Sequence, residues 1–149
     1  MVASAAAVLL GLGIASVNGA NDVSKGIATL VGTGVADARR AILWGTLWTG
    51  AGAVSAAFVA TAMVQTFGKG LLSSGVDPTL SAGFSAIAGA ALWVLLATVR
   101  GLPVSTTHAI IGSIIGVAWL AYGAEGVRWS VLGEKVALPL LLSPVVAGS

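Results

Sequence analysis

The sequence predicts an all-α integral membrane protein, a multi-span helical bundle with a discontinuous first helix and a second broken or re-entrant helix over residues 101–108. Three observations predict it. Of 149 residues, 57% are hydrophobic and only 8% are charged, whereas a soluble domain carries about 25% charged residues to coat its surface. Two charge-free runs, residues 41–68 and 79–99, reach the roughly 20 apolar residues that cross a bilayer. Two polar, Gly-bounded stretches, one near residue 20 and one at 101–108, interrupt otherwise apolar sequence. Non-helical backbone at membrane depth is tolerated only where protein buries it or a cavity opens beside it.

Composition also excludes several function classes. The mean hydropathy is +1.02, and the seven Lys and Arg behind the formal net charge of +2 are scattered, so there is no basic patch for nucleic acid. Without cysteine, no disulfide framework or thiolate metal site can be built. The apolar run 2–17 has no positive region before it and leads into a polar break, not a small-residue cleavage site, so it is read as part of the mature chain. The expected unit is a single membrane domain over residues 1–149.

In chain order, residues 2–17 are small and apolar, 18–26 break the pattern, and 27–36 resume it with Gly spacing. Asp37, Arg39 and Arg40 form a charged turn. Residues 41–68 follow as a span, with Trp44 and Trp48 one helical turn apart near its start, suited to anchoring at the interface. Residues 69–78 hold Gly, Ser, Asp and Pro, a turn composition in which Pro78 suits a helix start. The run 79–99 is the next span. If each run crosses once, Arg39, Arg40 and Arg100 share one side, and positive-inside counting makes it cytoplasmic.

After residues 101–108, the apolar stretch 109–124 carries Gly112 and Gly116, a spacing that lets helices approach closely in lipid. Tyr122, Glu125, Arg128, Trp129, Glu134 and Lys135 then read as a polar loop. The apolar tail 136–149 is short of spanning length and reads as truncated after Ser149.

The first polar stretch is Gly19-Ala20-Asn21-Asp22-Val23-Ser24-Lys25-Gly26. Ionisable groups at membrane depth are costly and mark functional sites by default. Asn21 and Asp22 offer hard oxygen ligands of the kind Na⁺ favours, and an unwound backbone would add carbonyls. The bland alternative for Asp22 is a private ion pair with Lys25, although burying such a pair gains little stability.

The second is Gly101-Leu102-Pro103-Val104-Ser105-Thr106-Thr107-His108. Pro103 fits the first turn of a helix. A helix starting there presents unpaired amides, its positive dipole end and the hydroxyls of Ser105, Thr106 and Thr107, which suits an oxyanion. The bland alternative is that these residues only cap the helix. His108 is the single histidine, so no multi-histidine metal site exists. It is either a hydrogen-bonded structural residue or a proton relay.

Gly19-Ala20-Asn21-Asp22-Val23, with the 101–108 stretch followed by Ala109-Ile110-Ile111-Gly112, closely resembles the signature pair of the PiT family of inorganic phosphate transporters. Both motifs occur in the expected order and together span most of the chain. The resemblance implies a multi-span symporter of two homologous halves in opposite orientation, a phosphate and cation site between them, no cofactor, and a plasma (inner) membrane location. This chain resembles the first half, one inverted-repeat unit. The implied partners are inorganic phosphate, the bilayer and a second homologous half, either further chain or a second copy.

By position, the resemblance assigns Asn21 and Asp22 to the coupling cation, Na⁺ or H⁺, and Ser105, Thr106 and Thr107 to phosphate. Two departures stand out. Many members have a second Asn where this chain has Lys25, and a Glu where Thr49 stands when residues 52–54 are aligned. Each change raises the charge at or near the site by one. The Lys25 ammonium therefore replaces a coupling cation or pairs with phosphate directly.

Two other classes compete with transport. An intramembrane hydrolase would use Ser105, His108 and Asp22, but no Gly-x-Ser-x-Gly elbow is present. A non-catalytic subunit would use its Gly-rich helices only for packing.

Overall fold

The computed structural model describes residues 2–59, 65 and 70–148. Among the described residues there is no strand, only an isolated bridge between Leu72 and Val127. The helices are α1 (Val2–Gly32), α2 (Ala38–Val59), α3 (Leu80–Val99), α4 (Thr106–Tyr122) and α5 (Trp129–Gly148). All but α4 are long and apolar enough to cross a membrane. The protein is thus a multi-pass helical membrane protein.

α1 is one unbroken helix, which corrects the expectation of a discontinuous first helix. Glycine in a helix interior costs only about 1 kcal/mol relative to Ala. The polar side chains of α1 also find partners on other elements, so no backbone has to unwind to satisfy them. At 31 residues, α1 is about 46 Å long.

Gly34, at φ 73°, turns the chain, and Asp37 starts α2 by accepting the Arg40 amide at 3.0 Å. α2 runs back along α1, with Gly45 facing Val23 and Ile27 so closely that an added Cβ would lie 3.0 and 2.9 Å from them. Trp44 and Trp48 stack at 6.3 Å and are both exposed, as suits interfacial anchors. The far end of the 41–68 run and Lys69 lie outside the described residues.

α3 and α4 form an antiparallel hairpin. Thr79 caps α3 by accepting the Ala82 amide. The helix ends where Gly101 takes φ 68°, with Gly101 N–H donating to Thr98 O and Leu102 N–H to Ala97 O at 2.8 Å. That pair of bonds is a Schellman stop, and only glycine adopts its left-handed residue without strain. Ser105 then caps α4. Pro103 lies in the loop and not in the first helical turn as expected, because Ser105 takes the cap position and α4 starts at Thr106.

The hairpin closes on Gly89, where an added Cβ would sit 2.6 Å from Ser113 Oγ. The Ser113 hydroxyl donates to Ala86 O at 2.6 Å. Gly112 and Gly116, expected to mediate close helix approach, have open space beside them instead. The open end of the hairpin is tied by Thr79 N–H donating to Tyr122 Oη at 2.9 Å and by Leu72, Ala118 and Val127 packing together.

α5 begins at Trp129, passes through a π turn at Gly133–Ala137 and continues to Gly148. Glu134 and Lys135 therefore belong to a helix of spanning length, not to a loop before a short tail.

The hairpin tip meets α1 at Asn21. From there α1 continues 11 residues to Gly32, about 16 Å. The Arg39/Arg40 turn lies beyond that end of α1. The helical path is interrupted between α3 and α4, in the stretch where the sequence predicts a broken or re-entrant helix.

Candidate functional site

Asn18, Asn21, Asp22 and Lys25 recur at helical spacing, so an unbroken α1 displays them on one side. Asn21 is buried, at 5% exposure. Its amide donates to Thr98 Oγ1 and to Leu102 O, each at 3.1 Å, and its Oδ1 accepts the Val104 amide at 3.4 Å. Thr98 in turn donates to Val94 O at 2.7 Å. Asn21, which the sequence reading assigns to the cation, thus clamps the loop that opens α4.

Asp22 and Lys25 pair at 2.6 Å, with 47% and 37% of their side chains exposed. The ammonium also donates to Val104 O at 2.8 Å. The bland ion pair therefore exists, but its ammonium also reaches the start of the second motif.

Both residues border an open cleft of about 550 Å³. Its other walls are Asn18, the loop residues Pro103, Val104 and Ser105, and Thr106, Thr107 and Ile110 of α4. Thr106 donates its hydroxyl to Asn18 Oδ1. The first amides of α4 have no intrahelical acceptor, so the helix turns its positive end to this space. Six of the expected residues are thus near one another: Asp22, Lys25, Ser105, Thr106 and Thr107 on the cleft, and Asn21 directly behind it.

The arrangement is mixed in sign. Amides, hydroxyls and an ammonium favour an anion, while the Asp22 carboxylate repels one unless a cation accompanies it. Among the described residues no three His, Asp or Glu side chains converge. A cation here would rely on Asp22 with hydroxyl or carbonyl oxygens.

His108 lies elsewhere. Its imidazole opens on a second cleft with Gly89, Trp93, Gly112 and Ser113, although its Nδ1 is 2.7 Å from Ser105 Oγ. Asp22 is tied to Lys25 on the other side of Ser105, so no Ser-His-Asp relay is assembled. Thr49, expected at or near the site, instead lines a groove between α1 and α2 with Ser24 and Thr46.

Two contributors were not singled out from the sequence, Asn18 and Thr98. Asn18 precedes Asp22 by four residues, and that spacing would have revealed it had α1 been read as continuous. Thr98 carries no local signal, because its role depends on Asn21, which is 77 positions away.

A profile of the Phosphate transporter family matches residues 18–149. The chain is 33% identical over 134 residues to sodium-dependent phosphate transporter 1 of Rattus norvegicus, covering 87% of this chain and 19% of that protein. It is 37% identical over 148 residues to the chloroplastic inorganic phosphate transporter 2-1 of Arabidopsis thaliana, covering 96% of this chain and 24% of that one. A solved structure described as the sodium-dependent phosphate transporter superposes with a TM-score of 0.79 at 33% identity, over 99% of this chain and 37% of its own. The chain spans about a third of the length of a Pyrococcus abyssi relative that is 36% identical to it.

Proposed function

The chain belongs to the phosphate transporter family, and from that premise we propose that it supplies half of a site for carrying inorganic phosphate across a membrane together with a cation. The observation that supports this best is the cleft in which Asp22 and Lys25 of α1 face Ser105, Thr106 and Thr107 at the start of α4. In this reading Thr107, Ser105 and the first amides of α4 hold phosphate oxygens, with the Lys25 ammonium beside them. Thr106 contributes through its bond to Asn18. Asp22 holds the positive charge that lets the anion enter.

A second homologous half, on further chain or in a second copy, closes the open side of the cleft. The relatives' greater length supports that part of the reading. Relatives named as sodium-dependent favour Na⁺ as the coupling ion over H⁺. Lys25 modifies this expectation, because its ammonium already occupies the place beside Asp22 where a cation would bind. A plasma or inner membrane location completes the proposal.

The test is uptake of labelled phosphate by proteoliposomes, with arsenate as the tetrahedral competitor. Saturable uptake that arsenate blocks and Lys25→Asn alters in ion dependence is the expected result. A subunit that only packs would instead show Asp22→Ala changing assembly and leaving uptake untouched. If Lys25→Asn changed neither ion dependence nor phosphate affinity, the role given to the ammonium would be wrong.

A further inference from the structure

We propose that His108 is a positioning residue whose protonation decides whether the Ser105 hydroxyl can donate into the cleft, an inference that rests on reading that cleft as an anion site. Ser105 and the adjacent Val104 are the residues that line both clefts described above, while His108 lines only the second. The imidazole therefore bears on the first cleft through the Ser105 hydroxyl.

Ser105 Oγ has two neighbours from the same residue. It accepts the His108 backbone amide at 3.3 Å and lies 2.7 Å from His108 Nδ1. A hydroxyl has one proton and two lone pairs. When the imidazole is neutral with its proton on Nε2, Nδ1 takes the hydroxyl proton and the amide takes one lone pair. What remains for the cleft is a lone pair, which repels an anion's oxygens. When the imidazole takes up a proton from solution, both ring nitrogens become donors. Nδ1–H then points at Oγ, the hydroxyl proton is released, and it turns into the cleft as a donor beside Thr107. The same protonation adds a positive charge one side chain away from the anion.

The surroundings leave His108 as the group able to make this change. From α3 it faces Gly89 and Trp93, from α4 Gly112 and Ser113, and from the loop Val104, none of which titrates. Across Ser105, α1 presents Asp22 and Lys25, already paired with each other at 2.6 Å. Protonation of the imidazole should therefore raise anion affinity.

The experiment is calorimetric binding of inorganic phosphate to the full chain in lipid nanodiscs, at about pH 5.5 and about pH 8, on either side of imidazole titration. Phosphate changes its own charge over that range, so the quantity read is the ratio of wild-type to variant affinity at each pH. For His108→Asn, whose amide reaches Oγ but does not titrate, the ratio should change roughly tenfold between the two pH values, the worth of one charge-assisted hydrogen bond. Ser105→Thr should keep the wild-type pH slope, and Ser105→Ala should lose most of it although His108 is intact, keeping only the through-space effect of the imidazolium charge. A ratio that is constant for His108→Asn, or a slope retained in full in Ser105→Ala, overturns the proposal. Absence of phosphate binding by the wild type at either pH overturns the anion reading of the cleft instead.

Discussion

The Asn21 side-chain amide donates to the Leu102 carbonyl at 3.1 Å, so a residue of the first helix holds the loop from which α4 starts. Replacing Asn21 by Leu would leave the Leu102 carbonyl and the Val104 amide without this partner. The expected loss is about 1–3 kcal/mol, the cost of unsatisfied buried polar groups, together with weaker phosphate binding as the loop loosens. Denaturation in detergent would measure it. A cation ligand at this position would show the opposite pattern, altered ion dependence with stability unchanged.

Asp22→Asn removes a charge while keeping the shape. The Asp22–Lys25 pair is about half exposed, and pairs of that kind contribute roughly 0–1 kcal/mol, so insertion and helix content by circular dichroism should match the wild type. Phosphate uptake should fall to background, because nothing then offsets the cation's charge in the cleft.

Thr107 and Ser113 separate binding from packing. Thr107→Val removes a cleft hydroxyl and should weaken phosphate binding severalfold with little change in stability, on the scale of one hydrogen bond. Ser113→Ala removes the bond to Ala86 O and should lower stability while leaving affinity alone. Thr106→Val should do some of both, since it also frees Asn18. Equal affinity losses in all three would point to folding and not to binding. Paired titration and melting curves resolve the cases.

At Gly89 two effects oppose each other. Alanine gains about 1 kcal/mol of helix propensity, but its Cβ would sit 2.6 Å from Ser113 Oγ and must displace a hydroxyl that is bonded to the facing helix. Overpacking of this kind costs typically 1–3 kcal/mol, so Gly89→Ala should be net destabilising. Ser113→Ala removes the obstructing oxygen, so in that background Gly89→Ala should no longer be destabilising. A thermal melt series over the three variants checks this.

The membrane class, the two polar stretches and their meeting were legible in the sequence because composition and charge are local properties. The unbroken course of α1 was not. Gly19 and Gly26 look like helix breakers until Asn21 and Lys25 are seen bonded to Leu102 and Val104, partners roughly 80 residues away. The bonds of Asn21 were hidden for the same reason, since a buried amide looks free until its acceptors are located. The placement of His108 behind Ser105, outside the cleft, follows from the orientation of α4 against α3, which no local spacing records. The helical start at Trp129 was hidden because Glu134 and Lys135 resemble a loop unless a π turn carries them.

The hairpin tip meets α1 at Asn21, about 28 Å from one end of that helix and about 16 Å from the other, so a membrane that α1 spans would hold the cleft inside its electric field. An elementary charge moving from one face to the cleft would then cross a fraction of the potential drop, and with it the same fraction of the roughly 2.3 kcal/mol available per 100 mV. Occupancy of the cleft should therefore respond to voltage whenever the anion and its cations arrive with charges that do not cancel, and be indifferent to it when they do. The depth of one loop thus turns the stoichiometry of the cargo into an electrical quantity.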